Sequence, residues 1–258
     1  MYLSEESALG ESTKWVHRRQ SGSALGYIPS ALAGFGEFGA PVFDVVCPNP
    51  PGCAPVAPAG CRAAIRDAVR EAINLADNAA SKIEAAIAVP PAARGPEAEK
   101  TAKFFTFFFG HDPSHPITWA GNDESGVSVA ARFRSVAKEL NGGRRVIFVC
   151  RPTQVGCGNN LTCCDPNDNA WFSTGVPNTV NLCAGFWNPP ANLRGLPALN
   201  FRAAIIIHEM LHMLFEFLRD VGHGRARACC YEAFALRAAG YGADPFDVCQ
   251  CRGTPCPP

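Results

Sequence analysis

The sequence predicts a disulfide-rich α+β fold with a helical amino-terminal half, a small mixed β-sheet and a late pair of packed helices. Apolar residues recur at spacings of three and four before residue 141 and again after residue 200, which is typical of helices. Between these parts, short runs of β-branched and aromatic residues indicate strands. The chain has 258 residues, enough for a substantial core, and 13 of them are cysteines. That density is typical of proteins that are stapled by disulfides in an oxidising compartment.

A cysteine-ligated metal site is the alternative use of the cysteines. The sequence contains no clean pair of C-x-x-C motifs, however, and this favours disulfides. Two pairs of cysteines are adjacent, Cys163–Cys164 and Cys229–Cys230. We expect each of these cysteines to bond to another partner, because a bridge between neighbours is strained.

The first 46 residues are predicted to be a leader, an arm or a pro-segment, and residues 47–258 to be the folded domain. The segment is rich in Gly, Ser and Ala and has no sustained hydrophobic period. It begins with acidic residues and lacks the apolar run of a signal peptide. The cysteines nevertheless favour a secreted or otherwise exported protein, with cytoplasmic residence and reduced thiols as the alternative.

Three helices are predicted in the amino-terminal half. The first covers Arg62–Ala88 and ends before Pro90, which cannot continue a helix. The second covers Pro96–Phe109 and ends at Gly110. The third covers Glu124–Leu140, and a glycine pair follows it.

Three short strands are predicted next, at Arg145–Cys150, Ala170–Ser173 and Thr179–Cys183. Cys150 and Cys183 each end a strand. We therefore expect a disulfide between these two residues.

The helix predicted from Asn200, its expected N-cap, to Asp220 carries the residues of chemical interest. Positions four apart lie on one face of a helix, so His208 and His212 can hold one metal ion from one side. Glu209 lies beside the first histidine, where a carboxylate can take a proton from a water on the metal. Such an H-E-x-x-H arrangement is typical of zinc proteases. Apolar residues surround the motif, so the helix is expected to be buried, and a metal is the simplest partner for buried histidines.

A catalytic zinc site usually has three protein ligands and a water, so a third ligand is expected. Three candidates follow the motif: Asp220, His223 and Glu232. The stretch 213–220 contains no helix breaker, so the helix is predicted to run to about Val221. At a rise of ~1.5 Å per residue, its end would then lie ~13 Å beyond the second histidine.

A second helix, Arg225–Ala239, would return antiparallel over the first and bring Glu232 level with His212. Glu232 is therefore the predicted third ligand. If the first helix breaks early, near Phe215, His223 becomes the alternative, followed by Asp220.

Two resemblances agree with a metal site. The H-E-x-x-H motif followed by nineteen residues and Glu232 resembles the thermolysin-like gluzincin pattern, in which a glutamate on the next helix is the third ligand. Residues 60–236 resemble the deuterolysin and peptidyl-Lys metallopeptidase family, the aspzincins. The similar stretches are VIFVC, TVNLCAGFW, HEMLH and ACCYEAFAL.

The aspzincin resemblance implies a zincin-like fold, one bound zinc ion and hydrolysis of peptide bonds. The third ligand of that family is an aspartate in a G-T-x-D motif. This motif is absent here, and its nearest equivalents are Asp220 and His223 in the sequence RDVGHG.

The expected function is therefore that of a zinc-dependent endopeptidase that acts on protein or peptide substrates, with Glu209 as the general base. Tyr231, His223 and Tyr241 are the candidates for stabilising the oxyanion. The alternative is a disulfide-stapled binding or structural protein with a non-catalytic zinc site. Glu209 favours the enzyme, because a structural site needs ligands but no base.

The charge balance and the hydropathy of the sequence limit the classes of partner that we expect. Basic and acidic residues balance at 23 each, which gives no reason to expect a nucleic-acid partner. The longest apolar stretch, 203–218, is interrupted by histidines and glutamates, so we expect no membrane span. Delivery as a toxin-like effector stays an open route for the enzyme. His111 and His115 are four apart but flanked by prolines, which favours turn residues over a second metal site.

Overall fold

Six α-helices and four β-strands form the described part of a computed structural model. That part comprises residues 42–47, 58–116, 125–157, 162–166, 168–172, 175–188, 196–216, 218 and 227–241. The helices are α1 (Pro58–Ile87), α2 (Pro96–Phe109), α3 (Gly126–Lys138), α4 (Ala184–Trp187), α5 (Ala198–Leu214) and α6 (Ala228–Ala238). The strands are β1 (Phe43–Val46), β2 (Val146–Cys150), β3 (Ala170–Phe172) and β4 (Thr179–Leu182). The α+β class predicted from the sequence is confirmed.

The three amino-terminal helices form where the apolar period predicts them. Helix α1 begins four residues before its predicted start, and α2 has its predicted bounds. Gly110 ends α2 in the left-handed conformation, with φ of 84°, which glycine adopts without strain. Helix α3 is shorter than predicted at both ends, because Ser125 caps it and a short π-helical turn, Glu139–Gly143, follows it.

Helix α1 is the centre of the helical layer. Its 30 residues pack against α2, α3, α5 and α6. Residues on its inward face, among them Ile65, Val69 and Ile83, are completely buried or nearly so. Burial of this stripe follows from the spacing of the apolar residues, since positions three and four apart lie on one side of a helix.

The sheet has the strand order β1-β2-β4-β3 and is mixed, as predicted. Strands β1, β2 and β4 are parallel, and β3 pairs antiparallel with β4 at the edge. The three predicted strands are confirmed to within one residue at each end. Strand β1 is additional, and it lies in the last four residues of the segment 1–46 that is predicted to be a leader, an arm or a pro-segment. The sheet thus begins before the predicted domain boundary.

The predicted disulfide between Cys150 and Cys183 is wrong. Cys150 is bonded to Cys47, and Cys183 is bonded to Cys164. The register explains the difference, because Cys150 of β2 lies beside Leu182 of β4. Neighbouring residues of a strand face opposite sides of the sheet, so Cys183 points away from Cys150.

The expectation for one pair of adjacent cysteines is confirmed. Cys163 is bonded to Cys157, and its neighbour Cys164 is bonded to Cys183. The disulfides therefore tie the end of β2 to the residue after β1, and the end of β4 to the loop before β3. Cys230 is disulfide-bonded as well.

The start of α5 differs from the prediction. Pro197 occupies the N-cap position, and Asn200, the predicted cap, lies inside the first turn. The side-chain amide of Asn200 donates a hydrogen bond of 2.6 Å to the carboxylate of Glu71 on α1. Asn200 is buried, so this bond joins the two helices where they pack together.

The end of α5 also differs, because the helix stops at Leu214 and not near Val221. Phe215 has φ of −136° and ψ of 79°, which are not helical. The chain then turns, with a hydrogen bond of 2.9 Å from the N–H of Leu218 to the carbonyl of Phe215. Two gains offset the lost helical bonds. The Leu218 side chain is buried completely. The backbone carbonyl of Leu218 accepts a hydrogen bond from His212 of α5.

An ion pair between Arg94 and Asp112 joins the turn after α1 to the segment that follows α2. The guanidinium donates two hydrogen bonds to the carboxylate, one of them 2.7 Å long, and this lowers the pKa of Asp112 from 3.8 to about 2. A carboxyl whose pKa is depressed by folding stabilises the fold above its unfolded pKa. This contribution is lost as the pH falls from about 4 through 2.

We predict that Asp112→Asn lowers the free energy of unfolding by about 1 kcal/mol or less at pH 7, because solvent screens a carboxylate that is 37% exposed. The difference from wild type shrinks as the pH falls to 2.5, because the carboxyl of the unfolded wild-type chain is protonated there and that of the folded protein begins to be. The midpoints of urea unfolding at pH 7 and at pH 2.5 measure this difference in stability. Glu99→Gln, which removes an exposed pair with Lys103, is the control and has a smaller effect. An equal destabilisation by Asp112→Asn at both pH values would contradict the assignment.

Candidate metal centre

Helix α5 holds the H-E-x-x-H motif inside the protein. His208, Glu209 and His212 are only 1–2% exposed. The helix is buried because its apolar sides pack against α1, α3 and α6 and also against β3 and α4. Three polar side chains in such surroundings need partners, because transfer of an unpaired polar group from water to an apolar interior is costly.

The two histidine rings meet edge to face on one side of α5. Their centroids are 4.8 Å apart, and the two Nε2 atoms are separated by 3.1 Å. This follows from the spacing of four residues, which stacks the side chains one turn apart.

A backbone carbonyl holds the second histidine. Nδ1 of His212 lies 2.9 Å from the carbonyl oxygen of Leu218. A carbonyl can only accept a hydrogen bond, so Nδ1 of His212 carries a proton and donates it. In a neutral imidazole, Nε2 is then an acceptor.

A carboxylate holds the first histidine. Oε2 of Glu232, on α6, lies 3.0 Å from Nδ1 of His208, and both side chains are buried. An ionised carboxylate only accepts hydrogen bonds, so Nδ1 of His208 is the donor. The contact lies on the opposite side of the ring from the Nε2 atom that faces His212.

The two Nε2 atoms therefore face each other at 3.1 Å in a buried site. Either a proton shared between the two rings or a metal ion bound by both can satisfy these nitrogens. Zinc binds histidine nitrogen at ~2.0–2.1 Å in tetrahedral geometry, which separates two such nitrogens by about 3.3 Å. The separation of the two nitrogens is thus close to that of a zinc site.

The other predicted site residues are distributed around this pair. Tyr231 precedes Glu232 on α6 and is completely buried, and its hydroxyl accepts a hydrogen bond from Arg132 of α3. Tyr241 follows α6, where its N–H bonds to the carbonyl of Leu236 and its ring is partly buried against the core. The two alternative third ligands, Asp220 and His223, lie outside the residues that the structure describes.

The early end of α5 removes the reason for ranking Glu232 above the other candidates. That ranking relies on a helix that carries His223 far beyond His212, and the chain instead turns back at Phe215. Helices α5 and α6 do pack against each other, and Glu232 does reach His208. The third ligand stays a prediction, with Glu232, His223 and Asp220 as its candidates.

A second group of ligand-type side chains lies near the sheet. Cys164, Asp168 and Cys183 are buried, and their ligand atoms lie within 4.8 Å of one another. The two sulfurs are joined in a disulfide, so they offer no thiolate to a metal. The histidine pair on α5 is the better candidate for the metal centre.

Two residues near the centre were not predicted from the sequence. The first is Leu218, whose carbonyl contact depends on the turn after α5. The second is Arg132, which is buried on the inward face of α3 and lies over the rings of both Phe215 and Tyr231. A signal for Arg132 is present in the sequence, because it shares a helical face with Val129 and Val136, and a charge on an apolar face needs a partner.

Comparison with known proteins adds one finding. Residues 96–238 match the model of a protein family described as lysine-specific metallo-endopeptidase, the aspzincins. The match runs from the first residue of α2 to the last residue of α6 and so includes the whole described site. A search of curated proteins returned no match.

We predict that Zn²⁺ raises the melting temperature of the chelator-treated protein by several degrees. A free ion concentration one hundred times the Kd corresponds to about 2.7 kcal/mol. His208→Gln and His212→Gln should each abolish the rise, because each removes one Nε2. His115→Gln, at an exposed histidine outside α5, is the control and should leave the rise unchanged. An unaltered rise in both α5 variants would place the metal elsewhere.

Proposed function

This chain belongs to the aspzincin family of lysine-specific metallo-endopeptidases, and we propose that it hydrolyses peptide bonds at a zinc ion held by His208 and His212. The family is one of zinc metalloendopeptidases. The observation that carries the proposal is the pair of Nε2 atoms, 3.1 Å apart, whose opposite ring nitrogens are both engaged. A third ligand completes the site, and the predicted candidates are Glu232, His223 and Asp220.

Glu209 is proposed as the general base. When bound, zinc polarises the scissile carbonyl and brings the pKa of a water ligand towards ~7. Glu209 follows His208 on α5, so its carboxylate is at the start of the same helical turn. It takes the proton of the attacking water and later delivers this proton to the leaving amine. Burial of Glu209 excludes bulk water, which strengthens its interaction with the reacting groups.

The oxyanion that forms at the scissile carbonyl needs a donor. Tyr231, His223 and Tyr241 remain the proposed candidates. The hydroxyl of Tyr231 accepts a hydrogen bond from Arg132, and a hydroxyl that accepts one hydrogen bond can also donate one.

A zincin-like arrangement is the proposed fold. It is supported by the antiparallel edge strand β3, which packs against α5. An extended peptide can add to a sheet edge through main-chain hydrogen bonds. Substrates of protein or peptide type follow from the family.

We propose that the protein is exported and acts outside the cytoplasm. Three disulfides join pairs of described cysteines, and such bonds persist in oxidising compartments. Within the described residues, no helix is both long enough and apolar enough to cross a membrane. No contact among these residues points to delivery as a toxin-like effector. Residues 1–46 remain a predicted leader, arm or pro-segment, apart from β1.

A non-catalytic zinc site is the alternative. It would use the same histidines, but it would have no need of a base beside them and would close the fourth coordination position with a protein ligand. Glu209 next to His208 is the residue that separates the two functions, and its substitution tests them.

We predict that Glu209→Gln lowers the rate of casein cleavage by about 10²–10⁴-fold, the usual contribution of a general base. Glutamine has nearly the same shape but cannot take the proton. Zinc content, measured by atomic absorption, should stay at the wild-type level, and a chelator should abolish wild-type activity. His115→Gln should cleave casein normally. A wild-type protein that binds zinc and cuts neither casein nor peptides would support the non-catalytic alternative.

A further inference from the structure

The carboxylate of Glu232 has a contact that its predicted role as a ligand does not explain. Glu232 lies in the middle of α6 and is 1% exposed. Oε2 of this side chain lies 3.0 Å from Nδ1 of His208, a residue 24 positions earlier on α5. A buried carboxylate without a partner would be costly, so this hydrogen bond is part of what keeps Glu232 inside the protein.

The position of that contact on the ring decides what Glu232 can do. The two nitrogens of an imidazole point away from each other, and Nε2 of His208 is the one that faces His212. A metal ion on Nε2 would lie on the order of 6 Å from the Glu232 oxygen, whereas a zinc–carboxylate bond is ~2.0–2.2 Å long. One carboxylate cannot occupy both places.

Helix α6 is held in this position by contacts on its other side. Tyr231, the preceding residue, accepts a hydrogen bond from Arg132 and packs against Phe109 and Phe133. These contacts fix the backbone of α6 beside Glu232, so that only the side chain of Glu232 is left to move relative to His208.

We propose that Glu232 is a positioning residue for His208 and not a ligand of the metal. Its carboxylate accepts the Nδ1–H of His208, which fixes the tautomer and the ring orientation and makes Nε2 a stronger ligand. The carbonyl of Leu218 does the same for His212. The proposal rests on the proposed zinc site, and it leaves Asp220 and His223 as the predicted candidates for the third ligand.

The test is the zinc affinity of Glu232→Gln, measured by competition with a chromophoric chelator. The amide oxygen of glutamine still accepts a hydrogen bond from Nδ1, but glutamine is a poor zinc ligand. We expect one equivalent of zinc at saturation and an affinity lowered by about 10–100-fold, the usual cost of mutating an orienting partner, because a neutral amide accepts the Nδ1–H bond more weakly than a carboxylate. His212→Gln, which removes a direct ligand, is the reference for a much larger loss. A loss in Glu232→Gln as large as in His212→Gln would overturn the proposal.

A second readout follows the ring nitrogens directly. In long-range ¹H–¹⁵N spectra of the zinc-loaded wild-type protein, we expect His208 and His212 both to carry their proton on Nδ1. Glu232→Gln should shift the Nδ1–H signal of His208 and leave that of His212 in place, because the latter is bonded to a backbone carbonyl. A His208 without a proton on Nδ1 in the wild-type protein, or a signal that does not move in the variant, would overturn the proposal. The wild-type spectrum tests the proposal even if the variant does not fold.

The outcomes also separate this proposal from the proposed function. A wild-type protein that binds no zinc contradicts the zinc site as a whole. A wild-type protein that binds zinc and cleaves casein, together with a Glu232→Gln variant that resembles His212→Gln, contradicts only the positioning role.

Discussion

Two imidazoles inside an apolar helix impose the constraint on which the rest of this structure depends. Each ring has one nitrogen engaged with an acceptor, the carboxylate of Glu232 for His208 and the carbonyl of Leu218 for His212. The remaining nitrogens face each other at 3.1 Å, a contact that a shared proton or a metal ion can satisfy. In a buried site, where water screens charge weakly, the interaction of the two nitrogens with such a partner is strong.

The surrounding elements supply what this arrangement requires. Helix α1 gives α5 a long apolar surface, and the bond between Asn200 and Glu71 joins the two helices near the start of α5. Helix α6 brings a carboxylate to the first histidine, and α3 holds α6 through Arg132. One disulfide joins the end of β2 to the residue after β1, and another ties the residue after β4 to the loop before β3. Each histidine is thus oriented by a partner from a different segment of the chain.

Local signals in the sequence are sufficient for most of the helices and strands and for the histidine pair, but not for β1 or α4. A proline, a glycine and an apolar period define α2 from start to end, because its boundaries are set by neighbouring residues alone. Disulfide pairing was not predictable in this way, since the partner of Cys150 depends on strand register and on a strand, β1, that lies about one hundred residues earlier. The predicted end of α5 is wrong for a related reason. Its sequence contains no breaker, and burial of Leu218 together with its bond to His212 outweighs local helix preference.

The position of the zinc ion is the most direct test of the proposed site, and anomalous X-ray scattering at the zinc absorption edge locates it. In a crystal of the zinc-loaded protein, we expect a single strong peak within about 2.0–2.1 Å of Nε2 of both His208 and His212. A zinc peak at any other site, with the space between these two nitrogens empty, would contradict the proposed site.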